Sequence, residues 1–268
     1  MLGGGGNRGA VQVGMLKALL ERGVHPDAVV GCSVGAINAA GIAADPTPGG
    51  IERLEQLWRD LDGEAICPSG RLNGFLLLAR RYKSLQSNDP LRRLLLAGLP
   101  HPHFEDYAIP LHVVATSLRT GTERWFSSGR VLEPVLASAA VPAIFPPVEI
   151  AGERFVDGAV VNNVPISRAL ELGATRVVVL HVGNFDRPRP EPKRPLDALL
   201  QSFSISRNFR FLHEAGQAAE QAELIILPAV DPGAIKHNDF SRSGQMITMA
   251  YEATRSYLDG ADAAVAQL

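Results

Sequence analysis

Hydrophobic positions along the chain alternate between short continuous runs and stretches with helical spacing. The continuous runs predict strands at Asp27–Cys32, Ile109–Ser117, Thr122–Phe126, Arg154–Val156, Arg176–Val182 and Glu223–Leu227. The spaced stretches predict helices at Val34–Ala44, Ile51–Leu61, Val131–Ala139, Pro165–Leu172, Leu196–Ala219 and Ser243–Leu258. Apolar strands interleaved with helices are typical of a largely parallel sheet covered on both faces. We therefore expect an α/β fold.

Composition narrows the class of protein. The chain has 268 residues, 46% of them hydrophobic and 20% charged, which favours one globular domain over residues 1–268. The net charge of −2 gives no basic bias toward nucleic acid. No apolar run reaches the ~18 residues that a membrane span needs, and no signal-peptide pattern is present, so we expect a cytoplasmic protein. Cys32 and Cys67 lack zinc-site spacing and are expected to be free thiols.

The stretch GGGGNRG near the start of the chain opens a helical pattern. Only two residues precede it, so the first strand is expected to be very short or trimmed. A dinucleotide fold needs a full strand before the glycines and an acidic residue after a second strand, and a phosphate-binding P-loop needs Gly-Lys-Ser/Thr. Both patterns are missing. What remains is an oxyanion hole formed by the amides of Gly4, Gly5 and Gly6, with Arg8 adding positive charge.

The stretch GCSVG fits the pattern Gly-x-Ser-x-Gly at the point where a predicted strand meets a helix of small residues. This is the setting of a nucleophile elbow, in which a sharp turn exposes the serine hydroxyl. Gly31 and Gly35 leave room for the turn, and the helix N-terminus favours negative charge on Ser33. The alternative is that Ser33 only caps the helix.

A serine nucleophile needs a group that accepts its proton. Seven histidines are present, of which His237, in a loop, has the best setting. Asp157 is the better candidate, because it ends a predicted strand and is followed by Gly158 and Ala159, which free the backbone. Asp-Gly is also among the commonest turn dipeptides, so the aspartate alone does not decide the question.

Taken together, these motifs resemble the patatin-like phospholipase family. The resemblance extends through ASAAVPAIFPPVEIAGERFVDGAVVNNVPI, residues Ala137–Ile166, and loosely covers most of the chain. It implies a three-layer α/β/α sandwich with a mostly parallel central sheet and a Ser33–Asp157 dyad without histidine. It also implies oxyanion donors at Gly4, Gly5 and Gly6 supported by Arg8, and no metal or cofactor. The motif positions carried over are Gly9, Gly31, Gly35, Gly158 and Ala159.

The implied substrate is a glycerophospholipid, a lysophospholipid or another acyl ester. Residues 64–104 are a candidate lid or insert, since leucine runs there adjoin arginines in a way that suits transient contact with an anionic membrane surface. An amphipathic helix packed on the core is the alternative and the more usual reason for such a stripe. Two other functions stay open: a Ser-His-Asp esterase using His237, and a non-catalytic lipid- or nucleotide-binding module.

Overall fold

The computed structural model describes residues 1–63, 87–183, 191–193, 195–231, 233, 235 and 239–265. The strands in the described part are β1 (Val29–Cys32), β2 (Leu111–Ser117), β3 (Glu123–Phe126), β4 (Val148–Ile150), β5 (Glu153–Asp157), β6 (Arg176–Val179) and β7 (Glu223–Ile226). The α-helices are α1 (Ala10–Glu21), α2 (Val34–Ala44), α3 (Pro48–Asp60), α4 (Asp89–Gly98), α5 (Leu132–Ser138), α6 (Ile166–Glu171), α7 (Pro195–Ala218) and α8 (Ser243–Val265). Short 3-10 helices lie at Gly6–Gly9, Phe104–Asp106 and Gly158–Val160.

The central strands run parallel. β1 pairs with β2 and β6 with β7 in parallel, and Leu2 forms single parallel bridges to Gly31 and to Leu180. Leu2 therefore joins the two groups of strands. The same sheet also contains antiparallel pairs: β2 pairs with β3 and β5, and β5 pairs with β4. The predicted mostly parallel central sheet is confirmed, with an antiparallel flank.

Helices cover both faces of the sheet. Neighbouring residues of one strand point to opposite faces, and accordingly Val113 and Ala115 join one hydrophobic cluster while Val114 joins another. The larger cluster combines side chains of α1, α2, α3, α4, α5 and α8. The smaller clusters lie opposite, where α6 and α7 pack on β6. The predicted three-layer α/β/α arrangement is confirmed.

The candidate lid falls partly outside the described residues, since positions 64–86 are among those not described. The described remainder contains α4, an amphipathic helix of the kind that the sequence offered as the alternative to membrane contact. Leu91 and Leu95 of α4 are buried in the main core, whereas Leu96 is 61% exposed. Packing on the core thus accounts for most of the leucine stripe in this helix. No helix in the described part of the chain is long and apolar enough to cross a bilayer.

Candidate active site

Strand register brings the predicted nucleophile and the predicted base together. Cys32 pairs with Val114 of β2, and Asp157 pairs with the next residue, Ala115. Because β3 occupies the other edge of β2 at these residues, β1 and β5 meet end to end along the same edge. The carboxyl ends of these two oppositely directed strands therefore lie side by side. Ser33, which follows Cys32, therefore lies next to Asp157, although the two residues are 124 positions apart in the sequence.

The backbone at Ser33 has the sharp turn expected of a nucleophile elbow. Its φ of 56° and ψ of −128° lie outside the regions favoured by L-residues. The Ser33 amide donates a hydrogen bond to Ser138 Oγ at 2.8 Å, which anchors the turn to α5. Gly31 and Gly35 leave the space that the motif predicts: a β-carbon at Gly31 would lie 2.6 Å from Ala36 Cα, and one at Gly35 would lie 2.2 Å from the carbonyl oxygen of Leu2.

The carboxylate of Asp157 accepts a hydrogen bond from the Ser33 hydroxyl. Ser33 Oγ donates to Asp157 Oδ2 at 2.6 Å, and the Ala159 amide donates to Oδ1 at 2.8 Å. The thiol of Cys32 lies 3.9 Å from the same Oδ1. Asp157 is only 1% exposed, and this burial raises the pKa of its carboxyl to about 6. The two hydrogen bonds and the positive charge of Arg207 on α7 act in the opposite direction on that pKa.

Gly158 and Ala159 make the turn that orients the carboxylate. They begin the 3-10 helix Gly158–Val160, which the Asp157 side chain caps through the Ala159 amide. A β-carbon at Gly158 would lie 2.6 Å from the carbonyl oxygen of Val114 and 3.1 Å from Cys32 Sγ. A glycine is therefore needed where β5 leaves the sheet, as the Asp-Gly pattern predicts.

Neither Ser33 nor Asp157 makes a hydrogen bond to a histidine in the described part of the chain. His112 and His181 are buried in or beside strands, and burial lowers the pKa of both. His181 stacks on Phe211 with ring centroids 4.9 Å apart, a packing role. His237, the best histidine candidate from the sequence, lies outside the described residues.

The glycine loop, Gly3–Gly6, lies beside Ser33. A β-carbon at Gly4 would be 2.9 Å from Ser33 Cβ, so only a glycine allows this approach. The Gly4 amide, however, donates to the carbonyl oxygen of Asn163 at 3.2 Å. For the amides of Gly5 and Gly6 no partner is found among the described residues. Of the three predicted oxyanion donors, the Gly4 amide is thus already hydrogen-bonded to the segment that follows β5. The amides of Gly5 and Gly6 remain available to a ligand.

Arg8 lies in the 3-10 helix Gly6–Gly9, where its amide donates to the carbonyl oxygen of Gly5 at 3.3 Å. This bond closes the turn that carries the two available amides. Gly9, at the end of the same turn, has no room for a side chain, since a β-carbon would lie 2.5 Å from Val34 Cγ2 and 2.8 Å from the Trp58 ring. The motif glycine therefore allows α1, α2 and α3 to meet behind the site.

A buried polar network, which the sequence motifs did not indicate, holds the glycine loop from behind. Gln12 Nε2 donates to the carbonyl oxygens of Gly3 at 2.7 Å and Leu180 at 3.0 Å. Asn38 Nδ2 donates to Gln12 Oε1 at 2.8 Å and to the Gly9 carbonyl at 2.9 Å. Trp58 Nε1 completes the chain by donating to Asn38 Oδ1 at 2.8 Å. Fully bonded buried networks of this kind fix geometry.

An apolar cavity of about 270 Å³ opens directly at Ser33. It is bounded near the nucleophile by Gly6, Asn7 and Ala139, and farther away by side chains of α2, α3 and α4 with Phe240. Apart from Ser33 and Asn7, its walls are aliphatic, aromatic or glycine. Such a cavity suits a hydrocarbon chain rather than a charged ligand.

Among the described residues, no cluster of three or more histidine, cysteine, aspartate or glutamate side chains could bind a metal ion.

Comparisons with known proteins agree with the motifs. The family model for patatin-like phospholipase matches residues 1–170. The lysophospholipase NTE1 of Cryptococcus neoformans is 28% identical over 194 residues, and lysophospholipase nte1 of Aspergillus terreus is 29% identical over 197 residues. Each alignment covers 71% of this chain but only 11% and 12% of the fungal proteins, so the chain spans about a tenth of their length.

Among solved structures, VipD from Legionella pneumophila aligns with 97% of this chain and 66% of its own, with a TM-score of 0.47 and 17% identity. The family model alone covers well over half of the chain and includes both the elbow and the Asp157 turn. This chain belongs to the patatin-like phospholipase family.

Proposed function

We propose that this chain is a lipid acyl hydrolase in which Ser33 is the nucleophile and Asp157 the general base. The observation that carries the proposal is the 2.6 Å hydrogen bond from Ser33 Oγ to Asp157 Oδ2. A nucleophile and a base in direct hydrogen-bond contact, at the mouth of an apolar cavity, meet the geometric requirement for acyl transfer.

In the proposed first step, Ser33 Oγ attacks the ester carbonyl while its proton passes to Asp157. The carbonyl oxygen becomes negative, and the amides of Gly5 and Gly6 are the donors best placed to stabilise it. The tetrahedral intermediate then collapses, its C–O bond to the alcohol breaks, and Asp157 returns the proton to the leaving oxygen. The acyl group remains on Ser33.

In the second step, a water molecule attacks the acyl carbonyl and gives a proton to Asp157. Collapse of the second intermediate releases the fatty acid, and the proton returns to Ser33 Oγ. A pKa of about 6 suits these transfers, because the carboxyl is ionised at neutral pH yet basic enough to take a proton in the transition state. No charged group other than the dyad carboxylate needs to change its ionisation.

The cavity supports a hydrocarbon substrate. Its volume of about 270 Å³ is at the small end of the range of small-molecule sites, about 300–1,000 Å³. A single acyl chain of medium length fits this volume better than two chains do. The fungal relatives bear the name lysophospholipase. We therefore propose single-chain lipids, with other acyl esters accepted, as the substrate class.

Contact with a lipid surface is part of the proposal. Leu96 of α4 is largely exposed on the helix whose other face lines the cavity, and Arg93 is exposed beside it. Apolar and basic groups together favour binding to anionic membranes. A transient contact there would allow a chain to pass from the membrane into the cavity.

The test compares wild type with Ser33→Ala, Asp157→Asn and His237→Ala, using p-nitrophenyl butyrate and micelles of a single-chain lysophospholipid. We expect kcat to fall by about 10³-fold or more in Ser33→Ala and Asp157→Asn. In His237→Ala we expect activity to be retained. Ser117→Ala is the matched control, since Ser117 is also a buried serine that donates to a carboxylate, that of Glu153, away from the cavity. Activity that survives Asp157→Asn but not His237→Ala would instead identify a histidine esterase, and an inactive wild type that binds lipid would identify a binding module.

A further inference from the structure

Asn163 contacts the glycine loop at the residue nearest the nucleophile. Its carbonyl oxygen accepts from the Gly4 amide at 3.2 Å, and its side-chain Nδ2 donates to the Gly4 carbonyl at 3.4 Å. A single residue thus holds both polar groups of Gly4. The next residue, Val164, packs against Gly3, where a β-carbon would lie 2.9 Å from Val164 Cγ2.

The carboxamide of Asn163 is close to the reacting centre. The position that a β-carbon of Gly4 would take is 2.7 Å from Asn163 Oδ1 and 2.9 Å from Ser33 Cβ. Gly4 is therefore held between the side chain of Asn163 and that of Ser33. Asn163 is 4% exposed, so water competes little for these contacts.

The Oδ1 atom of Asn163 is buried and has no hydrogen-bond partner among the described residues. An unsatisfied buried acceptor is costly to folding and needs an explanation. A side chain selected for packing alone would be apolar at this position. The orientation of the amide is instead set by the Gly4 carbonyl, which can accept a bond only from Nδ2.

Asn163 also shares a short segment with the proposed base. Asp157 begins the 3-10 turn Gly158–Val160, and the Asn162 amide closes it by donating to the Gly158 carbonyl at 2.8 Å. The seven residues from Asp157 to Asn163 thus connect the carboxylate to the support of Gly4. The position of the loop relative to the base is fixed by this connection.

We propose that Asn163 is a positioning residue that holds Gly4 so that the amides of Gly5 and Gly6 face the oxygen of the carbonyl group attacked by Ser33. Gly5 has φ of −177° and ψ of 10°, and Gly6 has φ of +61°, so both amide directions follow from where the Gly4 peptide lies. Asn163 does not itself touch the substrate. The inference rests on the proposed acyl transfer and adds a residue to it.

The experiment measures kcat and KM for p-nitrophenyl butyrate and the rate of Ser33 phosphonylation by an alkyl fluorophosphonate, whose phosphoryl oxygen occupies the place of the oxyanion. Asn163→Ala is expected to lower kcat and the phosphonylation rate together by about 10- to 100-fold, with KM within about threefold of wild type. The pH below which kcat/KM falls should not move, because the carboxyl of Asp157 keeps its own contacts.

The matched control is Asn162→Ala. Asn162 is the adjacent asparagine, 1% exposed, and its side chain donates to Glu123 Oε2 at 3.1 Å rather than to the glycine loop. Activity of Asn162→Ala is expected to remain within about threefold of wild type at temperatures well below unfolding. If Asn163→Ala does not fold, Asn163→Asp is the second variant, since it keeps the shape but cannot donate to the Gly4 carbonyl. It should be impaired at least as strongly.

Three results separate the possible failures. Equal phosphonylation rates for wild type and Asn163→Ala would overturn the inference while leaving the dyad in place. Equal losses in Asn162→Ala and Asn163→Ala would also overturn it, because both would then act through the stability of the segment. A folded wild-type protein that is not phosphonylated at Ser33 would contradict the proposed function itself.

Discussion

Gly35 of α2 lies against the carbonyl oxygen of Leu2, so closely that a β-carbon at position 35 would be 2.2 Å from that oxygen. Leu2 forms parallel bridges both to Gly31 of β1 and to Leu180, which follows β6. The second glycine of the elbow motif is therefore required by the centre of the sheet as well as by the turn at Ser33.

Gly35→Ala should consequently destabilise the fold. Because the obstacle is backbone and cannot rotate away, we expect a loss of about 1–3 kcal/mol or more in the free energy of unfolding, measured by urea denaturation. Gly216→Ala is the control: Gly216 is an exposed position in α7 where a β-carbon would meet nothing within 4 Å. That substitution should be neutral or stabilising by up to about 1 kcal/mol. Equal effects at both positions would argue against the close approach.

The activity of the proposed dyad should depend on pH through Asp157. The carboxyl must be ionised to accept the Ser33 proton, and burial raises its pKa to about 6. We expect kcat/KM to rise about tenfold per pH unit below this value and to level off above it. Initial rates with a neutral ester between pH 4.5 and 8.5 would measure this. If kcat/KM instead began to fall only near pH 4, the Asp157 carboxyl would be better solvated than its burial indicates.

The ionised carboxyl of Asp157 should also lower the free energy of unfolding at neutral pH. Since its folded-state pKa of about 6 exceeds the ordinary 3.8, the folded protein binds this proton more tightly than the unfolded chain. The contribution to the free energy of unfolding is therefore greatest below about pH 4 and falls by about 3 kcal/mol as pH rises to 6.

Asp157→Asn removes this dependence. The neutral amide can still accept from Ala159 and donate to Ser33 Oγ, so we expect the inactive variant to be more stable than wild type at pH 8. Calorimetric melting at pH 8 and pH 4.5 should show the difference shrinking at the lower pH. A variant less stable than wild type at both values would contradict a buried ionised carboxyl.

The cavity predicts a limit on acyl-chain length. Gly98 lines it at the end of α4, and a β-carbon there would meet Leu57 at 3.8 Å, an ordinary contact. Gly98→Leu should fill part of the 270 Å³ without displacing the backbone. We expect at least a tenfold loss of kcat/KM for decanoyl esters and little change for acetyl esters. Ala97→Leu, on the exposed neighbouring position, should leave both rates unchanged.

Much of the fold could be predicted from hydrophobic pattern, because most elements bury one uninterrupted face. The helix predicted at Val34–Ala44 agrees with α2 residue for residue. β6 ends at Val179 rather than Val182, since the Leu180 carbonyl accepts bonds from Gly3 and Gln12 instead of extending the ladder with β7. β4 was not predicted because it has three residues and follows two prolines.

The proposed nucleophile and base could be selected from local motifs, but their contact depends on register along β2, which no local pattern encodes. The residues that support the site are harder still to predict from the sequence. Ser138, Gln12 and Asn38 lie inside helical patterns, and their role is visible only through the atoms that they bind. Asn163 acts partly through its backbone carbonyl, a group that every residue possesses. The paired asparagines in VVNNVP were the one signal that could have drawn attention to it.

The network of Gln12, Asn38 and Trp58 has a consequence for how the molecule loses function. Three helices contribute its members, and the network bonds the carbonyl groups of Gly3 and Gly9 on either side of Gly4–Gly6. The loop therefore has no independent transition: it cannot melt while α1, α2 and α3 remain docked. Heat inactivation and global unfolding should share one midpoint, and exchange of the hydrogen-bonded Gly3 and Gly4 amides should be as slow as in the core.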